Sequence, residues 1–258
     1  MVKISKQHTY KKNKTDSPLI VFIHGAGCDK TFWALLNRYY YFKGYSTLAI
    51  NLPGHGDDHN KGLPSIDTMT DYVKKIITKF NSKQKILIGH SMGSLISLNL
   101  IIKGLKDIKK LILIGTALPM NVSSFLLRLS KKNSEEAIIK MIGWSLPNDS
   151  KLRGGHLIGI SLPQFIYTLM NKTSNNTLFL DLNACNKFFI EEEKLKKVNT
   201  SCLIIAGKQD VMTSFNKSYK LSTFLKNSEL KKIDSCGHFH IHEKPDEIRD
   251  LISRYIEN

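Results

Sequence analysis

Three residues of this chain have the types and the order that nucleophilic attack on a carbonyl requires. Ser91 stands in Gly89-His90-Ser91-Met92-Gly93, a G-x-S-x-G pattern. The pattern is short, and its context carries the reading. An apolar run, Lys85 to Ile88, precedes it, and helical periodicity begins at Ser94. A strand-to-helix turn there strains the serine and projects its hydroxyl above a sheet. Gly89 and Gly93 are small enough to let strand and helix approach. A serine hydroxyl is a weak nucleophile, so it needs a base, and the base needs an orienting acid. Asp210 follows the buried run Cys202 to Ala206; His238 follows Glu229 to Asp234 and precedes the last helix. Both fall at the carboxyl ends of strands, where parallel sheets carry their sites. Asp181 and Asp234 are the alternative carboxylates.

Other turns bear on the same chemistry. Ile23-His24-Gly25-Ala26-Gly27 follows the first buried run, and a Gly-rich turn there can present a backbone N–H to a developing oxyanion. The residue after the nucleophile, Met92, supplies a second N–H. His24 reads as a brace for its loop. Leu52-Pro53-Gly54-His55-Gly56 reads as a structural turn near the site. His238, His240 and His242 form H-x-H-x-H, but no acidic or Cys partner pattern supports a metal site. Glu135 and Glu136 read as a solvated helix face, with an amine-binding role as the alternative. Cys28, Cys185, Cys202 and Cys236 contain no C-x-x-C pair, which argues against zinc or a redox motif; in a chain without a secretory signal they are expected to be reduced.

The elements that must position these residues alternate. Apolar or β-branched runs at Leu19–Ile23, Tyr45–Ile50, Lys85–Ile88, Lys110–Ile114 and Cys202–Ala206 read as strands, with Thr9–Lys12 as an edge strand. Helical periodicity falls over 30–42, 66–81, 93–104, 214–226 and 245–256. Strands alternating with helices predict βαβ units and a mostly parallel α/β sheet. The rhythm stops after Leu118. Residues 119–189 carry apolar pieces between Pro, Gly and Asn, too long a stretch for a plain loop, and read as a helical insertion. Residues 1–118 and 190–258 form the core around it.

Composition narrows the class. Of 258 residues, 41% are hydrophobic and 23% charged, which excludes a disordered chain and allows a real core. No apolar run approaches the roughly 18 residues of a membrane span, and the Lys-rich start, Met1 to Thr15, has no apolar signal region; cytoplasmic residence is the expectation. The formal charge is +16, yet only five of the basic residues are Arg and no basic run exceeds two. That favours a Lys-biased surface over a specific nucleic-acid partner.

The motifs H-G-x-G, L-P-G-H-G, G-H-S-M-G, G-x-x-D and G-H-x-x-x-x-E-x-P (Gly237 to Pro245) occur in this order, and with them the chain resembles the α/β-hydrolase superfamily, in its branch of small capped esterases, C–C hydrolases, haloperoxidase-like enzymes and iminopeptidases. The resemblance covers nearly the whole chain except the insertion. It implies Ser91 as nucleophile, Asp210 as acid, His238 as base, Ala26 and Met92 as oxyanion donors, and 119–189 as a cap. The reading is a carboxylesterase-like serine hydrolase acting on small acyl substrates with an apolar part, without metal or organic cofactor. A C–C hydrolase, an aminopeptidase-like amidase and a non-catalytic ligand-binding protein are the alternatives. Phe125, Trp144 and Phe165 are the candidates to line the pocket, with packing inside the cap as the alternative for each.

Overall fold

The computed structural model of the protein describes residues 8–14, 16–152 and 161–258. Its sheet grows from runs that are apolar on both faces. Strands β2 (Leu19–Ile23), β3 (Ser46–Ile50) and β4 (Lys85–His90) are buried at every position. Strands β5 (Ile108–Ile114) and β6 (Ser201–Gly207) are buried towards their carboxyl ends. Such strands need cover on both faces, which helical crossovers between parallel strands provide. Strand β7 (Ser228–Ile233) forms one half-exposed edge and β1 (Thr9–Lys11) the other. The order is β1-β3-β2-β4-β5-β6-β7, and only β1 runs antiparallel to its neighbour. Alternate residues of β2 feed two cores, Leu19, Val21 and Ile23 on one face, Ile20 and Phe22 on the other.

Register decides where the site can be. Ile23 pairs with Gly89, His90 with Ile114, and Ile114 with Ile205. The turns leaving β2, β4, β5 and β6 therefore emerge together at one edge of the sheet.

Helices α1 (Ala34–Phe42), α2 (Ile66–Ile77) and α3 (Met92–Ile102) cover the first half. The first begins later than the periodicity suggests, because Asp29 caps a 3₁₀ turn over Lys30–Trp33 by accepting the Thr31 N–H. At α2, Ser65 and Thr68 form a reciprocal cap. Between β5 and β6 lie α4 (Ser124–Lys132), α5 (Ser134–Ser145), α6 (Asn148–Leu152), α7 (Leu162–Met170), α8 (Thr177–Lys187) and α9 (Glu192–Lys196). Leu126, Ile138, Ile166 and Leu182 from this stretch join the apolar cluster that holds Ile88 and Ile114 of the sheet. The chain closes with α10 (Phe215–Phe224), α11 (His240–Glu243) and α12 (Pro245–Glu257). Among the described residues no helix is long and apolar enough to cross a membrane.

Candidate active site

Ser91 sits between β4 and α3 with φ 50° and ψ −119°, a left-handed φ that a residue with a side chain adopts only where its surroundings enforce it. The enforcement is local. The Ser91 N–H donates to the Ile114 carbonyl at 2.9 Å. A methyl on Gly89 would lie 2.2 Å from the Gly93 carbonyl oxygen, and one on Gly93 would lie 2.1 Å from that of Ile23. Only glycine fits at both positions, so helix α3 starts hard against the sheet and the serine is pushed out of it.

The structure brings the three sequence-selected groups into one hydrogen-bonded relay. Ser91 Oγ is 3.0 Å from His238 Nε2, and His238 Nδ1 is 2.8 Å from Asp210 Oδ2. Nδ1 donates to the carboxylate, which leaves Nε2 as acceptor for the serine proton. Asp210 is itself held. Its Oδ1 accepts the N–H groups of Met212 and Thr213, both at 2.8 Å, and its Oδ2 accepts the Thr213 hydroxyl at 2.7 Å. Burial pushes its pKa up, but His238, His240 and the Thr213 N–H outweigh burial and hold the carboxyl well below the usual range. The other carboxylates are engaged elsewhere: Asp234 is exposed beside Lys208, and Asp181 is buried against His55.

The loop carrying His238 is fixed from two sides. Its N–H donates to the Ser145 carbonyl of α5 at 2.8 Å. Glu243, quoted in the sequence motif without a role, accepts the N–H groups of Gly237 and Phe239 at 2.8 and 2.9 Å and the Ser150 hydroxyl at 3.0 Å. Burial raises its pKa. Nothing in the sequence marks Thr213 for this role, and the signal for Glu243 is its place in G-H-x-x-x-x-E-x-P. His90, His240 and His242, which surround this loop, have backbone partners. His240 Nε2 accepts the Gly207 N–H at 2.8 Å, and its Nδ1 donates to the His238 carbonyl at 2.7 Å. Burial lowers His240 and His242 to a pKa of about 4. His90 Nε2 donates to the His238 carbonyl at 2.8 Å, and burial, with His238 and His240 nearby, takes its pKa well below the ordinary value. Among the described residues no cluster of His, Cys, Asp and Glu could hold a metal ion.

A cavity of about 350 Å³ opens over Ser91 and His238. Gly25 and Ala26 line its floor. Met120, Leu126, Met141, Trp144, Met170 and Leu182 line it from residues 119–189. No Lys, Arg, Asp or Glu is among the described lining residues. Of the three aromatic residues expected there, Trp144 lines the cavity, while Phe125 and Phe165 do not. Successive helix residues point 100° apart, so turning Leu126 inward leaves Phe125 outside, 47% exposed, with its ring 6.3 Å from Trp144. Phe165 packs on His242 at 4.9 Å. Glu135 and Glu136 are exposed, and Glu135 accepts the Tyr167 hydroxyl at 2.7 Å on the outer surface. Cys28 and Cys185 line the cavity, Cys236 does not, and burial pushes all three thiols up.

The turn after β2 has a defined hydrogen-bond pattern. Cys28 N–H donates to Gly25 O at 3.2 Å and Gly27 N–H to Asp181 Oδ2 at 2.9 Å. His24 braces the turn: Nδ1 lies 2.9 Å from Gly25 O, and Nε2 accepts the Leu52 N–H at 3.2 Å. Ala26 faces the cavity within this frame. Met92 is the first residue of α3, so its N–H has no intrahelical acceptor. A serine activated through a histidine–carboxylate pair, with backbone donors beside it, can carry out acyl transfer.

A family model described as "Alpha/beta hydrolase family" matches residues 20–251. An uncharacterized carboxylesterase of Bacillus subtilis is 23% identical over 98% of this chain and 84% of its own length. An esterase from Exiguobacterium antarcticum superposes with a TM-score of 0.86 at 18% identity, covering 97% of this chain and 95% of its own. MenH from S. aureus superposes with a TM-score of 0.77 at 22% identity, over 98% of each chain.

Proposed function

The chain belongs to the alpha/beta hydrolase family, and from that premise we propose that it is a serine hydrolase of uncharged, apolar carboxylic esters. The observation that carries the reading is the Ser91–His238–Asp210 relay at the floor of a cavity with no charged side chain in its described lining. His238 Nε2 takes the Ser91 proton as Oγ attacks the ester carbonyl. The N–H groups of Ala26 and Met92 hold the oxyanion. The alcohol leaves with the proton from His238, and the same imidazole then activates the water that frees the acid. Asp210 keeps Nδ1 protonated and stabilises the imidazolium that forms in each step.

The cavity favours the ester reading over its rivals. An acyl group bearing a carboxylate or an ammonium would be desolvated there without a counter-charge, at a cost of several kcal/mol. Glu135, the acid an aminopeptidase-like reading would use, lies outside the described lining. Residues 119–189 act as the cap, and their three methionines and two leucines at the lining shape the acyl pocket; Met side chains adapt to varied apolar shapes. The relatives named as esterases agree with this choice. The test is a fluorophosphonate probe on wild type and Ser91→Ala, alongside p-nitrophenyl esters from acetate to long chains, acyl groups ending in a carboxylate, and aminoacyl arylamides. Covalent labelling that needs Ser91, with turnover of neutral esters, supports the reading. Labelling with turnover confined to the arylamides or to charged acyl groups would overturn the substrate assignment, and absence of labelling the mechanism.

A further inference from the structure

Asp181 belongs to α8, and its carboxylate reaches across to the turn after β2. Its Oδ2 accepts the Gly27 N–H at 2.9 Å and lies 2.8 Å from His55 Nε2, contacts that span 154 and 126 residues of sequence. Both side chains are fully buried. The pair carries compensating charge by its geometry. His55 Nδ1 lies 3.0 Å from the Pro53 carbonyl and Nε2 faces the carboxylate, so both ring nitrogens meet acceptors and both must donate. Burial alone lowers the His55 pKa, but the charge and hydrogen bond of Asp181 outweigh it and raise the value. Packing around the contact is tight: a methyl on Gly27 would lie 2.8 Å from Met170 Cε.

We propose that Asp181 is a positioning residue for the oxyanion hole, a role that rests on the esterase reading above. Ala26 has two flanking peptides. The first, which contains the Ala26 N–H, is held where Cys28 N–H donates to Gly25 O; the second is held where Gly27 N–H donates to Asp181. Removing the second anchor frees rotation next to the donor that must meet the oxyanion. Such a loss acts on the transition state more than on substrate binding, because the oxyanion contact strengthens only as charge develops. His55 makes a buried carboxylate tolerable at that spot, and the insertion thereby sets the geometry of a loop on the sheet.

Two substitutions separate positioning from simple support. In Asp181→Asn an amide oxygen can take the place of Oδ2 and keep both hydrogen bonds, while the amide nitrogen falls at Oδ1, which has no hydrogen-bond partner among the described residues. This variant is expected to keep kcat within about threefold of wild type. The pair Asp181→Leu with His55→Leu removes charge and acceptor together, so stability returns towards wild type, while kcat on a neutral ester falls about 10–100-fold with KM within about twofold. Hydrogen exchange of the peptide spanning Gly27 should be slow in wild type and Asp181→Asn, and fast in the double variant. A folded double variant with the kcat of Asp181→Asn overturns the proposal, as does a folded Asp181→Asn as impaired as the double variant. If the double variant does not fold, Asp181→Ala assayed at reduced temperature gives the same kcat and exchange comparison. The exchange arm needs no turnover. A wild type that neither hydrolyses esters nor labels at Ser91 would end the esterase reading, whereas a fast-exchanging Gly27 amide in wild type would end the proposal for Asp181 whatever the activity.

Discussion

The turns at the carboxyl edge of the sheet and the insertion of residues 119–189 meet over the same cavity with different chemistry. The turns bring polar groups on tightly constrained backbone: Ser91 at a strained φ, Asp210 held by two N–H groups, and His238 between the two N–H groups that Glu243 anchors. The insertion faces the cavity mostly with apolar side chains, with Asn121 and Ser123 as its polar lining residues. Its polar contacts, Ser145 O, Ser150 Oγ and Asp181, reach the turns instead. The Ser91, Asp210 and His238 side chains are thus carried by rigid strand ends, and the insertion both lines the cavity and braces the loops beneath it.

Removing the nucleophile is the most severe way to test the first half of that contrast. Ser91→Ala should lower kcat by about 10⁶ and abolish probe labelling with the fold intact by circular dichroism; a folded variant with wild-type turnover would sink the assignment. Next comes Asp210→Asn, with an expected loss of about 10⁴ in kcat from the wrong imidazole tautomer. This carboxyl also gives stability a pH signature. Its folded pKa is depressed, so the unfolded chain takes the proton first as pH falls. The stability it contributes is present above the unfolded value of about 4 and is lost as pH drops through the folded value. The difference in Tm between wild type and Asp210→Asn should narrow below about pH 4; a difference that widens there contradicts the assignment.

Ala26→Pro deletes one backbone donor and should cost about 10²–10³ in kcat, or about 2.7–4 kcal/mol, whereas Ala26→Gly and Ala26→Ser keep the N–H and should stay mild. A folded proline variant with unchanged kcat on a good ester places the hole elsewhere. Glu243→Gln asks how far the brace matters. The amide presents an NH₂ to one of the two N–H groups at Gly237 and Phe239, leaving one buried donor unpaired at about 1–3 kcal/mol; at 2–4 °C per kcal/mol for a domain of this size, a thermal melt should show a clear drop. The smallest effects probe the insertion's apolar side. Trp144→Ala should shift chain-length preference about tenfold towards longer or bulkier acyl groups, while Phe125→Ala and Phe165→Ala leave it unchanged. Equal shifts from all three would erase the distinction between lining and outer residues.

Local chemistry made much of the sheet side legible. The strand spans came out close to their final ends because strands buried on both faces read as continuous apolar runs. The elbow was visible because the steric demand at Gly89 and Gly93 is met by residue type alone. The aromatic residues of the insertion were not resolved in the same way. Phe125 and Trp144 are both large, half-exposed and 6.3 Å apart, yet only one lines the cavity, and a rotation of 100° along a helix separates the two outcomes. The sequence offers Asp181 as an alternative carboxylate, but nothing near it in the chain announces His55 or Gly27.

Alternation, apolar runs and a few small residues at turns depend on interactions within a strand or a turn, so the amino-acid sequence by itself determined the α/β order, the strained turn at Ser91 and the order of Ser91, Asp210 and His238 along the chain. What faces the cavity and which insertion groups brace the loops were decided only by the tertiary structure, which also set Asp210, and not Asp181 or Asp234, against His238. Those are contacts between segments up to 154 residues apart, set by strand register and helix rotation, and an error of one residue in either turns a side chain to the opposite face of a strand or 100° around a helix.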